Sequence, residues 1–177
     1  MTDESGYYFG FPHRSEFYPD SMSESMVVLE QMNNPDTEFF TLSDKSPKTP
    51  FLNYLENSNL DIPDYELTQI IRKSYPLVME HKGYYNRPRP FQVNPSIQPA
   101  ESKTAATPSY PAGHTFQAYL MAYHLSNKYP KHRGEFFRIA NRIADARVSV
   151  GLHYPSDNEG GIALAEKYKD KLSALTK

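Results

Sequence analysis

Three short segments of this chain contain the residue types that bind and transfer a phosphoryl group. They follow one another as K-x6-R-P, P-A-G-H and R-x5-H-x3-D. Cations neutralise phosphoryl oxygens, one imidazole can attack phosphorus, and a second can protonate the oxygen that leaves. The cations, histidines and carboxylate for this chemistry are Lys82, Arg89, Arg147, His114, His153 and Asp157.

The third segment places His153 four residues before Asp157. Residues 156–159 form a capping-box pattern, which predicts that Asp157 lies in the first turn of the last long helix. Across that turn the carboxylate can hold one imidazole nitrogen and leave the other free to attack. Complementing the helix dipole is an alternative role for Asp157, and the two roles are compatible.

Arg147 falls on the apolar face of a helix predicted over residues 134–150. The other positions on that face are Phe136, Ile139, Ala140, Ile143, Ala146 and Val150. An arginine that faces the core is costly without an anionic partner. The sequence leaves two partners open, a carboxylate of the protein and a bound anion.

The first two segments add cations and a helix start. Gly113 permits close backbone approach, and the N–H groups at the start of a helix predicted over residues 114–128 can point at an anion. His114 is then placed to act as a general acid. Lys82 and Arg89 would neutralise phosphoryl oxygens, and an arginine can bind two of them at once.

Four further residues near these segments have less specific roles. We interpret Arg87 and Lys103 as cations at the rim of the site or in solvent. Tyr84 and Tyr85 are candidates to stack on a leaving group. These assignments depend on position in the chain alone.

The ordered set resembles the signature of the type 2 phosphatidic acid phosphatase superfamily, which reads K-x6-R-P, P-S-G-H and S-R-x5-H-x3-D. This superfamily includes class A bacterial non-specific acid phosphatases, membrane lipid phosphatases and vanadium-dependent haloperoxidases. The spacings within the first and third segments agree in full. The resemblance extends over residues 61–177, whereas residues 1–60 show none.

The resemblance implies a soluble, metal-independent phosphatase that hydrolyses phosphomonoesters through a phosphohistidine intermediate. It makes His153 the nucleophile, Asp157 its orienting partner and His114 the general acid. The phosphate-binding residues that it implies are Lys82, Arg89, Arg147, Ala112 and Gly113. No metal is implied, and the cations around His114 and His153 would repel a divalent ion.

Two positions depart from the signature, because Ala112 and Ala146 stand where it has serine. Loss of one neutral hydrogen bond costs about 0.5–1.5 kcal/mol, so we expect weaker phosphate contact and not inactivity. Ser109 is a candidate to replace the missing hydroxyl. Two alternatives stay open, a haloperoxidase-like enzyme, which alone would need vanadate as cofactor, and a non-catalytic phosphate-binding or structural protein.

The elements that must position these residues are helices. Besides the two above, helices are predicted over residues 22–34, 64–82 and 157–175, and no strand alternation competes with them. The fold class is therefore all-α, a compact helical bundle. The resemblance implies that this bundle is of the acid phosphatase/vanadium haloperoxidase type. The length fits one domain, 1–177, in which 1–60 is an irregular N-terminal arm with short helices and 61–177 the catalytic core.

The composition of the chain limits which classes of binding partner are expected. A net charge of −2 gives no reason to expect nucleic acid, and no window approaches the roughly 18 apolar residues of a membrane span. The chain has no cysteine, which excludes disulfides and thiolate metal sites. Its first residues are acidic where a signal peptide is basic, so we expect a cytoplasmic protein. Small phosphate esters are the expected partners, and homo-oligomerisation stays open.

Overall fold

The computed structural model describes residues 15–177, so the first 14 residues of the predicted N-terminal arm lie outside the described residues. The described residues form α-helices and 3-10 turns and contain no strand, which confirms the all-α prediction. The α-helices are α1 (Ser21–Gln31), α2 (Thr37–Asp44), α3 (Thr49–Asn57), α4 (Asp64–Tyr85), α5 (Pro90–Val93), α6 (Gly113–Lys128), α7 (Arg133–Ser149), α8 (Pro155–Tyr168) and α9 (Leu172–Leu175). The 3-10 turns are Ser15–Phe17, Lys103–Ala106, Pro130–His132 and Lys169–Lys171.

Helix α6 lies at the centre of the bundle, packed against α7, α8 and α4. Side chains on nearly all of its faces are buried, among them Phe116, Leu120 and Met121. A helix that is apolar all round needs this position, because every face must be covered. The predicted central helix is confirmed, and it begins one residue earlier than expected, at Gly113.

Helix α7 presents the predicted apolar face to the core. Phe136, Ile143 and Ala146 are buried on that face, and Arg147 is fully enclosed among them. Arg138 on the opposite side is exposed. The helical period therefore predicted correctly that the Arg147 side chain points inward.

Helix α8 differs from the prediction at both ends. It begins at Pro155 and ends at Tyr168, where a 3-10 turn separates it from α9. Asp157 lies in the first turn as predicted, and its carboxylate accepts the backbone N–H of Tyr154 at 2.9 Å. The cap is thus closed at Tyr154, two residues before the predicted position at Ser156.

Gly161 lets α8 approach the start of α6 closely. A Cβ atom at this position would lie 2.7 Å from the carbonyl oxygen of Ala112, which is too short for any carbon–oxygen contact. The backbone of Ala112 is itself tied to α8, because its N–H donates to the Asp157 carbonyl at 2.9 Å. This contact fixes the two helix starts that carry the second and third segments.

Two other boundaries also differ from the prediction. Helix α1 begins at Ser21, one residue before its predicted start, and Asp20 caps it, since its carboxylate accepts the Ser23 N–H at 2.8 Å. Helix α4 continues through Pro76 and ends at Tyr85, three residues beyond its predicted end, and its C-cap Asn86 has a left-handed φ of 50°. Lys82 lies in the last turn of α4, as predicted.

Candidate active site

A cavity of about 230 Å³ opens between α4, α6 and the loop that precedes α6. Its wall contains five of the predicted catalytic and phosphate-binding residues, Lys82, Arg89, Gly113, His114 and His153. The rest of the wall is mixed: Tyr75, Val78, Met79, Lys103, Thr104, Thr107 and Gln117. Three other predicted site residues lie behind this wall and do not line it: Ala112, Arg147 and Asp157.

His153 is held at both ring nitrogens. Its Nδ1 lies 3.0 Å from Oδ2 of Asp157, and its Nε2 lies 2.9 Å from a terminal nitrogen of Arg89. A guanidinium only donates, so Nε2 carries the lone pair and Nδ1–H donates to the carboxylate. Burial and the charge of Arg89 hold the pKa of His153 well below its ordinary value of 6.5, so the imidazole is neutral.

Asp157 is fully buried and accepts hydrogen bonds on both oxygens. Besides Tyr154 and His153, its partners are the Ser109 hydroxyl at 2.5 Å and a terminal nitrogen of Arg87 at 2.9 Å. Burial would raise the pKa of this carboxyl, but Arg87, His153 and Ser109 outweigh that effect and hold the pKa below its usual range. The carboxylate therefore stays ionised next to the imidazole.

The interpretation of Arg87 as a rim charge is wrong. Its side chain is fully buried and forms an ion pair with Asp157. Lys103 is exposed at the cavity, as expected of a rim cation.

His114 lies on the first turn of α6, across the cavity from His153. Its Nε2 lies 2.8 Å from the backbone carbonyl of Asp44 at the end of α2, and since a carbonyl only accepts, Nε2 carries a proton. Burial and the charges of Arg147 and Lys82 hold the pKa of His114 well below 6.5. The ring is therefore neutral until an anion comes near.

Asp44 was missed in the sequence. Its carboxylate pairs with Arg147 at 2.8 Å, so of the two partners left open for this arginine, the carboxylate is present. Thr104 accepts a second guanidinium N–H at 2.9 Å, while the buried Nε has no acceptor among residues 15–177. Asp44 lies outside the three segments, and no local pattern could have indicated its pairing.

The other cations anchor the loop that precedes α6. Lys82 is buried, and its ammonium donates to the Pro108 carbonyl at 2.5 Å. Arg89 donates to the carbonyls of Thr107 at 2.9 Å and Leu152 at 2.8 Å. Burial and the charge of Arg89 lower the pKa of Lys82 well below 10.5. A cavity with this set of donors is suited to an anion.

Two weaker assignments are wrong. The Ser109 hydroxyl donates to Asp157, so it does not replace the missing serine hydroxyl in the cavity. Tyr84 and Tyr85 do not line the cavity but pack with Phe17 on another face, where the ring centroids of Tyr84 and Tyr85 lie 5.0 Å apart. The aromatic ring that does reach the cavity wall is that of Tyr75.

Two features are absent from the part of the chain that the structure describes. Within residues 15–177, no three histidine, aspartate or glutamate side chains form a group that could hold a metal ion. None of the helices in this range has the length and apolar character that crossing a membrane requires.

The fold is an all-α bundle with a cavity lined by cations and by two histidines, one of them paired with a buried aspartate. The sequence profile of the PAP2 superfamily matches residues 67–166, more than half of the chain, and the chain belongs to this superfamily. The resemblance drawn from the three segments is thereby confirmed.

Two similar proteins are the non-specific acid phosphatases of Salmonella typhi and of Salmonella typhimurium strain LT2. Each is 35% identical to this chain over 83 residues, which are 45% of this chain and 33% of the relative. The chain thus spans about a third of the length of these curated relatives.

Proposed function

We propose that this protein is a phosphatase that hydrolyses phosphomonoesters through a phosphohistidine intermediate on His153 and needs no metal ion. One observation carries the proposal: the His153 imidazole, with its lone pair on Nε2, lines a cavity that cations also line, while Asp157 holds Nδ1–H. The acid phosphatase name of two relatives and membership of the PAP2 superfamily support the same activity.

Substrate binding would use the cations that line or back the cavity. Lys82 and Arg89 are close enough to receive phosphoryl oxygens, and the N-terminal N–H groups of α6 at Gly113 add donors. A phosphoryl oxygen would also take over the Arg89 N–H that now reaches His153. That exchange frees the Nε2 lone pair at the point where phosphorus would lie.

The reaction would then proceed in two displacements. In the first, Nε2 of His153 attacks phosphorus and the N–P bond forms as the ester P–O bond breaks. The imidazolium of His114 gives its proton to the alcohol oxygen that leaves. In the second, neutral His114 takes a proton from water, the water oxygen attacks phosphorus, and the N–P bond breaks to release phosphate and restore neutral His153.

Charge neutralisation by the protein's own cations is the physical basis for expecting no metal. Lys82 and Arg89 lie close enough to lower the pKa values of both histidines, and Arg147 lowers that of His114. The same field would stabilise the charge that develops on phosphoryl oxygens in the transition state.

The proposal is tested by hydrolysis of p-nitrophenyl phosphate from about pH 4 to pH 8, with EDTA present. We expect turnover in the wild type, none in His153→Ala, and no change in His81→Ala. His81 is the matched control, because it lies on α4 outside the cavity wall and its ring bonds the backbone carbonyl of Leu77. Mass spectrometry after an alkaline quench should detect phosphate on His153.

A folded wild type that neither hydrolyses nor traps phosphate would overturn the proposal. If such a protein still binds inorganic phosphate, the departure at Ala112 favours the phosphate-binding alternative, and His153 would then never be phosphorylated. Turnover that EDTA abolishes would retain the phosphatase but refute its metal independence.

A further inference from the structure

Arg87 carries a charge, is fully buried, and has no role in the proposed reaction. Its guanidinium carbon lies over two aromatic rings, 4.2 Å from the ring centroid of Tyr18 and 3.7 Å from that of Tyr154. One terminal nitrogen donates to Asp157 at 2.9 Å, and the other to Glu24 at 2.7 Å. Arg87 therefore bridges two carboxylates inside an aromatic enclosure.

Glu24 brings helix α1 into this bridge. Its side chain is only 11% exposed, and it also accepts the backbone N–H of Ser156 at 2.8 Å and the Ser156 hydroxyl at 2.6 Å. The same hydroxyl accepts from Arg87 at 2.7 Å. The first turn of α8, which holds Asp157, is thus fixed by charged groups from α1 and from the segment after α4.

Apolar packing would be a simpler way to join these elements. Burying an ion pair costs desolvation, and well-packed apolar residues often replace such pairs with no loss of stability. The bridge ends on the one carboxylate that holds the imidazole of His153. A role for the charge itself accounts for this arrangement better than a purely structural tie.

We infer that Arg87 is a positioning residue for His153: backed by Glu24, it holds the Asp157 carboxylate charged and directed at Nδ1 of the imidazole. The consequence for turnover depends on the proposed phosphatase activity, whereas the consequence for the imidazole does not. Neither Arg87 nor Glu24 lines the cavity, so neither is expected to touch the substrate.

The charges around Asp157 decide whether a substitution raises or lowers the pH at which the His153–Asp157 pair takes up a proton. The groups that face this carboxylate are Arg87, Lys82, His153, Ser109, Tyr110 and Tyr154, with Glu24 behind Arg87. Removing the positive charge of Arg87 makes the His153–Asp157 pair take up a proton at higher pH. Removing the negative charge of Glu24 has the opposite sign, because the charge of Arg87 is then less compensated.

The test is the titration of the His153 ring, followed by nitrogen NMR of labelled imidazole in the full chain. We expect proton uptake by the pair to move up by about 1–3 pH units in Arg87→Met, the range for loss of a close opposite charge. It should move down in Glu24→Gln and stay near the wild type in Arg87→Lys, which keeps the charge. General loosening of the fold cannot shift two variants in opposite directions.

Arg142→Met is the matched control. Arg142 also pairs with a carboxylate, Asp36 at 2.7 Å, and also lies over an aromatic ring, that of Phe39 at 4.2 Å. It is outside the cavity wall, so its loss should leave the titration of His153 unchanged. If Arg87→Met does not fold, the test uses the other two variants. The His153 titration should then move down in Glu24→Gln and stay near the wild type in Arg87→Lys.

Turnover supplies the second readout. We expect kcat to fall about 10- to 100-fold in Arg87→Met, the range for loss of an outer hydrogen-bond partner of a functional histidine. The acidic limb of the pH profile of kcat should move to higher pH together with the NMR titration. An unshifted His153 titration in both Arg87→Met and Glu24→Gln overturns the inference even if the wild type is an active phosphatase. If the wild type is inactive but the titrations shift as expected, the proposed phosphatase activity is refuted and the positioning role of Arg87 is kept.

Discussion

The two histidines of the cavity are held in different ways. His153 bonds a charged carboxylate four residues along the chain, and that carboxylate is itself fixed by a buried arginine. His114 bonds a neutral backbone carbonyl 70 residues away, that of Asp44. One imidazole is thus supported by ionic partners and the other by a single neutral acceptor.

This difference indicates which histidine is in its reactive protonation state before the substrate binds. The carboxylate of Asp157 selects the tautomer that leaves a lone pair on the cavity side of His153. A carbonyl orients His114 but stabilises its charged form only weakly, against burial and the charges of Arg147 and Lys82. The nucleophile is therefore preformed, whereas the acid gains its proton once a phosphate dianion has entered.

The largest effect is expected from Asp157→Asn, which would remove the ionic support of His153. An amide can bond either tautomer, so the lone pair on Nε2 is no longer selected, and kcat should fall by about 10⁴, as for the equivalent change in a catalytic triad. Steady-state kinetics measure the loss, with Asp170→Asn as an exposed control on the surface. A loss of less than tenfold would mean that His153 needs no charged partner.

The next effect concerns His114→Ala and should depend on the leaving group. For alkyl phosphates we expect kcat/KM to fall by about 10²–10⁴, because the alkoxide must be protonated as it leaves. For p-nitrophenyl phosphate the loss should be much smaller, since nitrophenolate leaves without a proton. His124→Ala on the same helix, where His124 pairs with Glu66 outside the cavity, is the control. Equal losses for both substrates would rule out general acid catalysis by His114.

The pH dependence of kcat/KM and of kcat should also show that the two histidines are held differently, with a smaller effect than the substitutions above. Activity rises as His153 loses its proton and falls as His114 loses its own, and both pKa values lie well below 6.5 in the free site. The profile of kcat/KM, corrected for ionisation of the substrate, should therefore be centred below 6.5. The falling limb of kcat should lie at higher pH, because bound phosphate raises the pKa of His114. Coincident falling limbs would contradict substrate-assisted protonation.

The smallest effect is expected from Asp44→Asn. This change keeps the backbone carbonyl that orients His114 but removes the negative charge paired with Arg147. Inhibition by inorganic phosphate should strengthen about 3- to 10-fold, a modest gain because the Asp44 side chain is partly exposed to solvent. Asp36→Asn, which removes the other aspartate–arginine pair between the α2 region and α7, should leave inhibition unchanged. Weaker inhibition would show that Asp44 positions Arg147 for phosphate.

What the sequence predicted correctly was local. The contact of His153 with Asp157 follows from a spacing of four across a helix start, and the inward direction of Arg147 follows from the helical period. The partners of Arg87 and Arg147 could not be predicted, because Glu24 and Asp44 come from distant helices whose docking no local pattern records. Ser109 was assigned wrongly for the same reason, since its hydroxyl bonds a carboxylate 48 residues away.

The close approach at Gly161 has a consequence for how much sequence variation this protein can tolerate. Gly161 lies outside the cavity wall, yet even a methyl group there would collide with the Ala112 backbone and push apart the helix starts that carry the two histidines. In a saturation mutagenesis scan scored on activity, this position should be as intolerant as the nucleophile. Gly134, where a Cβ atom would meet nothing within 4 Å, should accept most side chains. A scan read without the structure would therefore place a residue with no chemistry among the catalytic ones.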